Sequence, residues 1–247
     1  MDDTVINVQN ESPVAKEIVH VTGKVLPVGN GAVGKTSLAK MLLAYSPGKT
    51  DYLDTIQSIR RTNNLEFEFL VSKIDQGNIQ YSVVSQLLIP PGQKVYEEGK
   101  SGRTFDQVMD IYKFILSSVD LIILTYNVSV RESFLDLKYW LNALGGFYGP
   151  TTNFLMVGTH LDKAALQRRV QVSDIEKGQM QVQNYFNRKM PNWQGACFSL
   201  EVSNLTGENM EKLEFLISKS ILWSRGYLSG EEFIDTYHYL VLDNKIF

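Results

Sequence analysis

Cysteine is almost absent from this chain: 247 residues carry one, Cys197, so no intrachain disulfide can form and a disulfide-stapled secreted scaffold is excluded. Charge of one sign is lacking too. The 24 Lys and Arg stand against 27 Asp and Glu, a formal net charge of -3 with both signs interspersed, so there is no basic field to draw phosphate backbones or anionic lipid. Nucleic acid is not an expected partner. The longest apolar run, around residues 121 to 126, is far too short to cross a bilayer. The opening MDDTVINVQNESPVAKE is too polar and acidic for a secretory signal, Asp2 stands where myristoylation needs glycine, and the closing DNKIF has no prenylation cysteine. The expectation is a cytoplasmic protein with no direct membrane anchor.

With 44% apolar and 11% aromatic residues, the chain can bury one sizeable core, which suits a single α/β domain with additions. From about residue 24, apolar stretches of strand length alternate with helical patterns, as βα units around a mostly parallel sheet require. Strands are predicted at 24–28, 65–74, 79–89, 121–126, 153–157 and 196–200. Asp75-Gln76-Gly77-Asn78 reads as the bend of an antiparallel hairpin. Helices are predicted after residue 34, at 105–116, 131–144, 173–189 and 208–222, with Ser173 and Asn209 near their starts. Residues 17–22 are expected to add a strand before Gly23. Pro27 lacks the N–H of a ladder bond, which calls for a bulge or edge pairing. The first dozen residues read as disordered, 1–16 as a flexible extension, 17–222 as the domain, and 223–247 as a C-terminal extension. In that extension Ser229 and Glu232 have capping-box spacing, and Phe233, Tyr237, Leu240 and Val241 recur at helical intervals.

The strongest local signal is Gly29-Asn30-Gly31-Ala32-Val33-Gly34-Lys35-Thr36, an unbroken phosphate-loop pattern between a predicted strand and a predicted helix. Glycines let backbone N–H groups turn inward on phosphate oxygens, and the helix dipole adds to the attraction. Lys35 is expected to reach the β- and γ-phosphates, and the Thr36 hydroxyl to hold Mg²⁺.

Four segments in order, GNGAVGKTS, IPPGQ, VGTHLD and LEVSN, resemble the Ras superfamily of small GTPases, including its Rab and Rho branches and prokaryotic relatives. The stretch 118–128 followed by Arg131-Glu132-Ser133-Phe134 resembles the same family. The resemblance covers roughly 24 to 222. It implies the three-layer αβα sandwich of P-loop NTPases, with GTP or GDP and Mg²⁺ as ligands. It also implies protein effectors as partners, with an activating protein or an exchange factor. Asn30 to Ser37 would take the phosphates. Asp162 would accept from guanine N1–H and its exocyclic amine, with Thr159 and His160 beside it and Ser203 and Asn204 in the final base loop. Thr55 is the switch I candidate for Mg²⁺, with Thr50 and Thr62 as alternatives. Gly92 would give its N–H to the γ-phosphate and Gln93 would position the attacking water. The family's aspartate four residues before that glutamine is Ile89 here, which weakens the expected metal binding and hydrolysis. Arg60, Arg61 and Arg103 are candidate arginines acting in cis. A hydrolysis-impaired scaffold working only through protein contacts is the competing reading.

Overall fold

A computed structural model describes residues 16–49, 51–60, 62–94 and 102–238. Six strands form one sheet: β1 (Glu17–Val28), β2 (Glu66–Gln76), β3 (Ile79–Ile89), β4 (Val119–Asn127), β5 (Tyr148–Thr159) and β6 (Cys197–Glu201), in spatial order β2-β3-β1-β4-β5-β6. Among the described residues only the hairpin β2–β3 is antiparallel; the other pairs are parallel. The central strands are apolar at successive positions because both faces are covered. Leu121 and Ile123 of β4 join one apolar cluster, and Ile122 and Leu124 join the other. The architecture is α/β and compatible with three layers.

One face carries α1 (Lys35–Ala44), α9 (Met210–Ser224) and α10 (Gly230–Tyr237), whose Leu38, Ile217 and Phe233 share a cluster. On the other are α3 (Phe105–Ile111), α4 (Lys113–Leu116), α6 (Leu137–Ala143) and α8 (Val172–Lys189), contributing Val108, Leu116, Trp140 and Phe186. Three short helices, α2 (Leu53–Gln57), α5 (Arg131–Leu135) and α7 (Ala164–Gln167), complete the set. No helix of the described residues is long and apolar enough to cross a membrane.

Several expectations need correction. β1 is one strand from residue 17 to 28, and Gly23 lies inside it because α9 crosses there. A Cβ at that position would stand 2.5 Å from Ile221 Cγ2 and 3.0 Å from Asp120 Oδ2. Gly23→Ala is expected to cost about 1–3 kcal/mol by overpacking, read as a lower urea midpoint at unchanged slope. An unaltered midpoint would mean α9 does not press on β1. Pro27 is accommodated without a bulge: β1 pairs with β3 only as far as Val25, so beyond it one flank carries no ladder.

The helix predicted at 131–144 forms as α5 and α6, joined through Asp136, whose backbone stays helical: its N–H donates to the Glu132 carbonyl at 2.9 Å and its carbonyl accepts from Trp140 N–H at 3.2 Å, while its carboxylate binds Asn30 and Lys94. That predicted at 105–116 breaks at Tyr112 into α3 and α4. The helix predicted at 173–189 is α8, with Ser173 near its start as its second residue, and Asp174 caps it by accepting the Gln171 N–H at 3.1 Å. Asn209 takes a left-handed backbone (φ 62°) and donates its amide to the Glu201 carbonyl at 2.8 Å, so it ties α9 to β6 without capping the helix. The Ser229 capping box is formed, and α10 packs Phe233 and Tyr237 on Phe198 as part of the main core. Residues 1–15, Leu240 and Val241 lie outside the described residues.

Candidate functional site

β1 runs into the loop 29–34, where Ala32 (φ 61°) and Gly34 (φ 95°) adopt left-handed backbone before α1 begins at Lys35. Alternation of this kind turns successive N–H groups toward one side, making an anion-binding concavity at a helix N-terminus. The loop lines a crevice of about 740 Å³ with Thr36, Ser37, Ile59, Arg60, Thr62, Pro90, Gly92, Gln93 and Lys94. Lys35 is buried and folds back to donate from Nζ to the Gly29 and Asn30 carbonyls at 2.7 and 2.9 Å. Burial lowers its pKa from 10.5 to about 7. The hydroxyls of Thr36 and Thr62 lie 2.6 Å apart. Gly92 is pressed against this group: a Cβ there would meet Lys35 Nζ at 2.5 Å and the Asn30 carbonyl oxygen at 2.6 Å, so only glycine fits.

A second cavity of about 320 Å³ shares Ala32, Gly34 and Ser37 with the first and adds Leu53, Ile56, His160, Asp162, Lys163, Asn204 and Leu205. Its wall is tied to the loop by side chains. Thr159 Oγ1 donates to the Val33 carbonyl at 2.6 Å, and Asn204 Nδ2 donates to the Gly34 carbonyl at 3.2 Å. With its single proton given to Val33, Thr159 Oγ1 must accept from His160 Nδ1, 2.9 Å away, which leaves His160 Nε2 as an acceptor. Burial, followed by Lys163, lowers the His160 pKa and favours the neutral ring, against an opposing pull from Asp162. Asp162 is exposed, and its Oδ1 accepts from the buried Ser203 hydroxyl at 2.7 Å. Asn204 Oδ1 is buried without a partner. The cavity therefore presents the Asp162 carboxylate as an acceptor, with the unpartnered Asn204 Oδ1 buried beside it, a surface suited to a ligand edge rich in donors.

Most sequence-predicted residues meet here: Asn30, Gly31, Ala32, Gly34, Lys35, Thr36, Ser37, Gly92 and Gln93 line the first cavity, and His160, Asp162 and Asn204 line the second. Val33 is buried and contributes its carbonyl. Thr55 does not line the crevice. It faces an adjoining cavity of about 470 Å³ with Thr36, Lys40 and Glu66, because 53–57 coil into α2, whereas Thr62 reaches Thr36 directly. Ile89 is fully buried in the apolar cluster with α1, so the side chain that replaces the family's acid serves core packing. Arg60 is exposed at the crevice and Arg103 is exposed beside Asn63, while Thr50 and Arg61 lie outside the described residues.

One group escaped the sequence reading. Asn30 Nδ2 donates to Asp136 Oδ2 at 2.6 Å, Trp140 Nε1 donates to Asn30 Oδ1 at 2.8 Å, and Lys94 pairs with Asp136 while lying over the Tyr139 ring. Asp136 has a lowered pKa: burial opposes the shift, and bonds from Lys94 and Asn30 overcome it. This clamp joins the segment after β3 to the loop and to the α5–α6 junction. No spacing rule signals it, because its members come from three separate parts of the chain, with Asn30 106 and 110 residues from its partners.

No protein-family model matches this chain, and no curated protein matches it. The site must therefore be read from its own chemistry, which offers a cationic, amide-lined crevice continuous with an acceptor-lined cavity.

Proposed function

We propose that this chain has the P-loop NTPase fold and is a guanine-nucleotide-binding switch of the small GTPase type. The phosphates of GTP or GDP would lie in the crevice along residues 29–36, with the base in the cavity at Asp162. The observation that carries this reading is the sharing of Ala32, Gly34 and Ser37 by the two cavities, so one molecule with an anionic end and a purine end can occupy both. Lys35 and the loop amides suit the anion, and Asp162 and Asn204 suit the N1–H and exocyclic amine of guanine.

Bound Mg²⁺ supplies charge neutralisation between the β- and γ-phosphates in such proteins. The protein donors for it are thin here. No cluster of three acidic, imidazole or thiol groups exists among the described residues, and Ile89 is turned into the core. Thr36 and Thr62 are the hydroxyls that fit, and Thr55 is one cavity removed. Gln93 lines the crevice, with its main-chain carbonyl accepting from Phe105 N–H at 2.9 Å, and slow hydrolysis would require its side chain to position the attacking water. Protein effectors, and an activating protein or exchange factor, are the partners such a switch requires.

The buried Ile89 and the clamp of Lys94, Asp136 and Asn30, which holds the segment after β3 through protein contacts, favour the second reading, a scaffold that retains nucleotide without cleaving it. Equilibrium binding of GTP, GDP and ATP, with Mg²⁺ or with EDTA, together with phosphate release from GTP, separates the readings. The expected result is guanine preference, affinity only weakly dependent on Mg²⁺, and slow release. Retention without release selects the scaffold, and equal binding of ATP overturns the base assignment.

A further inference from the structure

The two edges of the sheet are treated differently. On β6 the outward backbone groups are sealed by side chains. Cys197 N–H donates to Gln183 Oε1 at 3.0 Å and its carbonyl accepts from Gln179 Nε2 at 2.7 Å. Ser199 N–H donates to the Tyr237 hydroxyl at 3.2 Å, which donates back to the Ser199 carbonyl at 2.9 Å, and Asn209 covers the Glu201 carbonyl. β2, at the opposite edge, is eleven residues long without proline, and among the described residues no side chain caps its backbone. Bare edges of this length template strand addition unless covered. On the face away from Leu70 and Ile74, β2 also exposes Phe67 (42%), Phe69 (56%) and Val71 (61%). Tyr112 meets Phe67 edge-on at 6.5 Å and leads into α4, where Phe114 is 92% exposed.

We propose that β2 pairs antiparallel with β2 of a second copy, about a two-fold axis at Leu70, joining two six-stranded sheets into one. The register follows from what it brings together, since directly opposed residues of an antiparallel pair share a face. Phe69 of one copy lies against Val71 of the other, and Lys73 against the ring of Phe67. On the helix-covered face Glu68 meets Ser72. Glu68 is already bound by Lys40, and Ser72 is bound by Glu214 at 2.7 Å, so Lys40 of each copy comes beside Glu214 of the other. No two like charges of β2 stand opposite one another. With about 150–250 Å² for a whole aromatic side chain, Phe67, Phe69 and Phe114 at their exposures of 42%, 56% and 92% offer roughly 300–475 Å² of apolar surface, to which Val71 adds. A standard interface uses about 800 Å² per partner, and the paired backbone supplies the remainder.

Sedimentation equilibrium on the full chain tests this without reference to what the site binds. A dimer is expected at micromolar to sub-millimolar concentration. Val71→Lys and Phe69→Lys each raise its dissociation constant by at least ~10-fold, about 1.4 kcal/mol. Both positions are already exposed, so thermal melts of the two variants should match the parent. Glu214→Lys, which sets two lysines together, weakens the dimer, and added salt weakens the parent dimer more than that of Glu214→Gln. A parent that stays monomeric throughout this range overturns the proposal. So does a dimer that persists unchanged in both lysine variants, which would place the interface elsewhere, or a parent monomer that captures only a different protein.

Discussion

Lys35→Ala is expected to lower nucleotide affinity by at least ~10²-fold, since each charge-assisted bond from an ammonium to phosphate is worth about 1.5–3 kcal/mol and Lys35 is the buried ammonium held within the loop. Calorimetric titration with GTP reads the effect. Lys35 also makes the affinity pH-dependent. Burial holds its pKa at about 7, whereas phosphate oxygens favour the charged form, so above pH 7 binding takes up a proton. Affinity is expected to fall as pH rises through 7 in the parent and to lose this dependence in Lys35→Ala. The stability of the fold runs the other way: with a folded pKa below the unfolded 10.5, the penalty for the buried charge is full below pH 7 and fades as pH rises toward 10.5. Affinity that is equal in parent and variant, or flat across pH 7 in the parent, removes Lys35 from the phosphate site.

The loop at 29–36 was legible because its chemistry is local: backbone amides and a lysine within eight residues need only the right neighbours, and strand β1 and helix α1 supply them. The strands and the antiparallel hairpin followed from apolar spacing and the turn at 75–78, while the spatial order of the strands did not, and strand ends were missed by several residues, because β1 and β5 continue through polar positions that pair with β3 and β4. What remained hidden is what depends on distant partners. Thr55 and Thr62 look alike in sequence; only the coiling of 53–57 into α2 turns one aside and leaves the other 2.6 Å from Thr36. The tie of the Asp136 carboxylate to Asn30 and Lys94 was hidden in the same way, because both partners come from elsewhere in the chain. Ile89 was visible as a departure, but its burial with α1, which gives the substitution a packing role, was not.

Asp162→Asn carries the second large expected effect, and it tests the base cavity separately from the phosphate crevice. Ser203 can go on donating at 2.7 Å to the remaining oxygen, so the side chain should stay in place and the chain should fold as before. What changes is the atom turned to the ligand: an acceptor becomes an NH₂ donor facing the N1–H and amine of guanine, which are donors themselves. Losing two bonds to a carboxylate and setting donor against donor is expected to reduce GTP affinity about 10²- to 10³-fold, with ATP much less affected, so the ratio between them collapses. A purine carrying a carbonyl in place of the exocyclic amine offers an acceptor to the new amide, and its triphosphate should bind the variant better than the parent. Because Lys35 and the loop are untouched, triphosphate alone should bind parent and variant equally. If the GTP to ATP ratio is the same in both, Asp162 does not read the base, and the cavity it lines with His160 and Asn204 serves some other ligand edge.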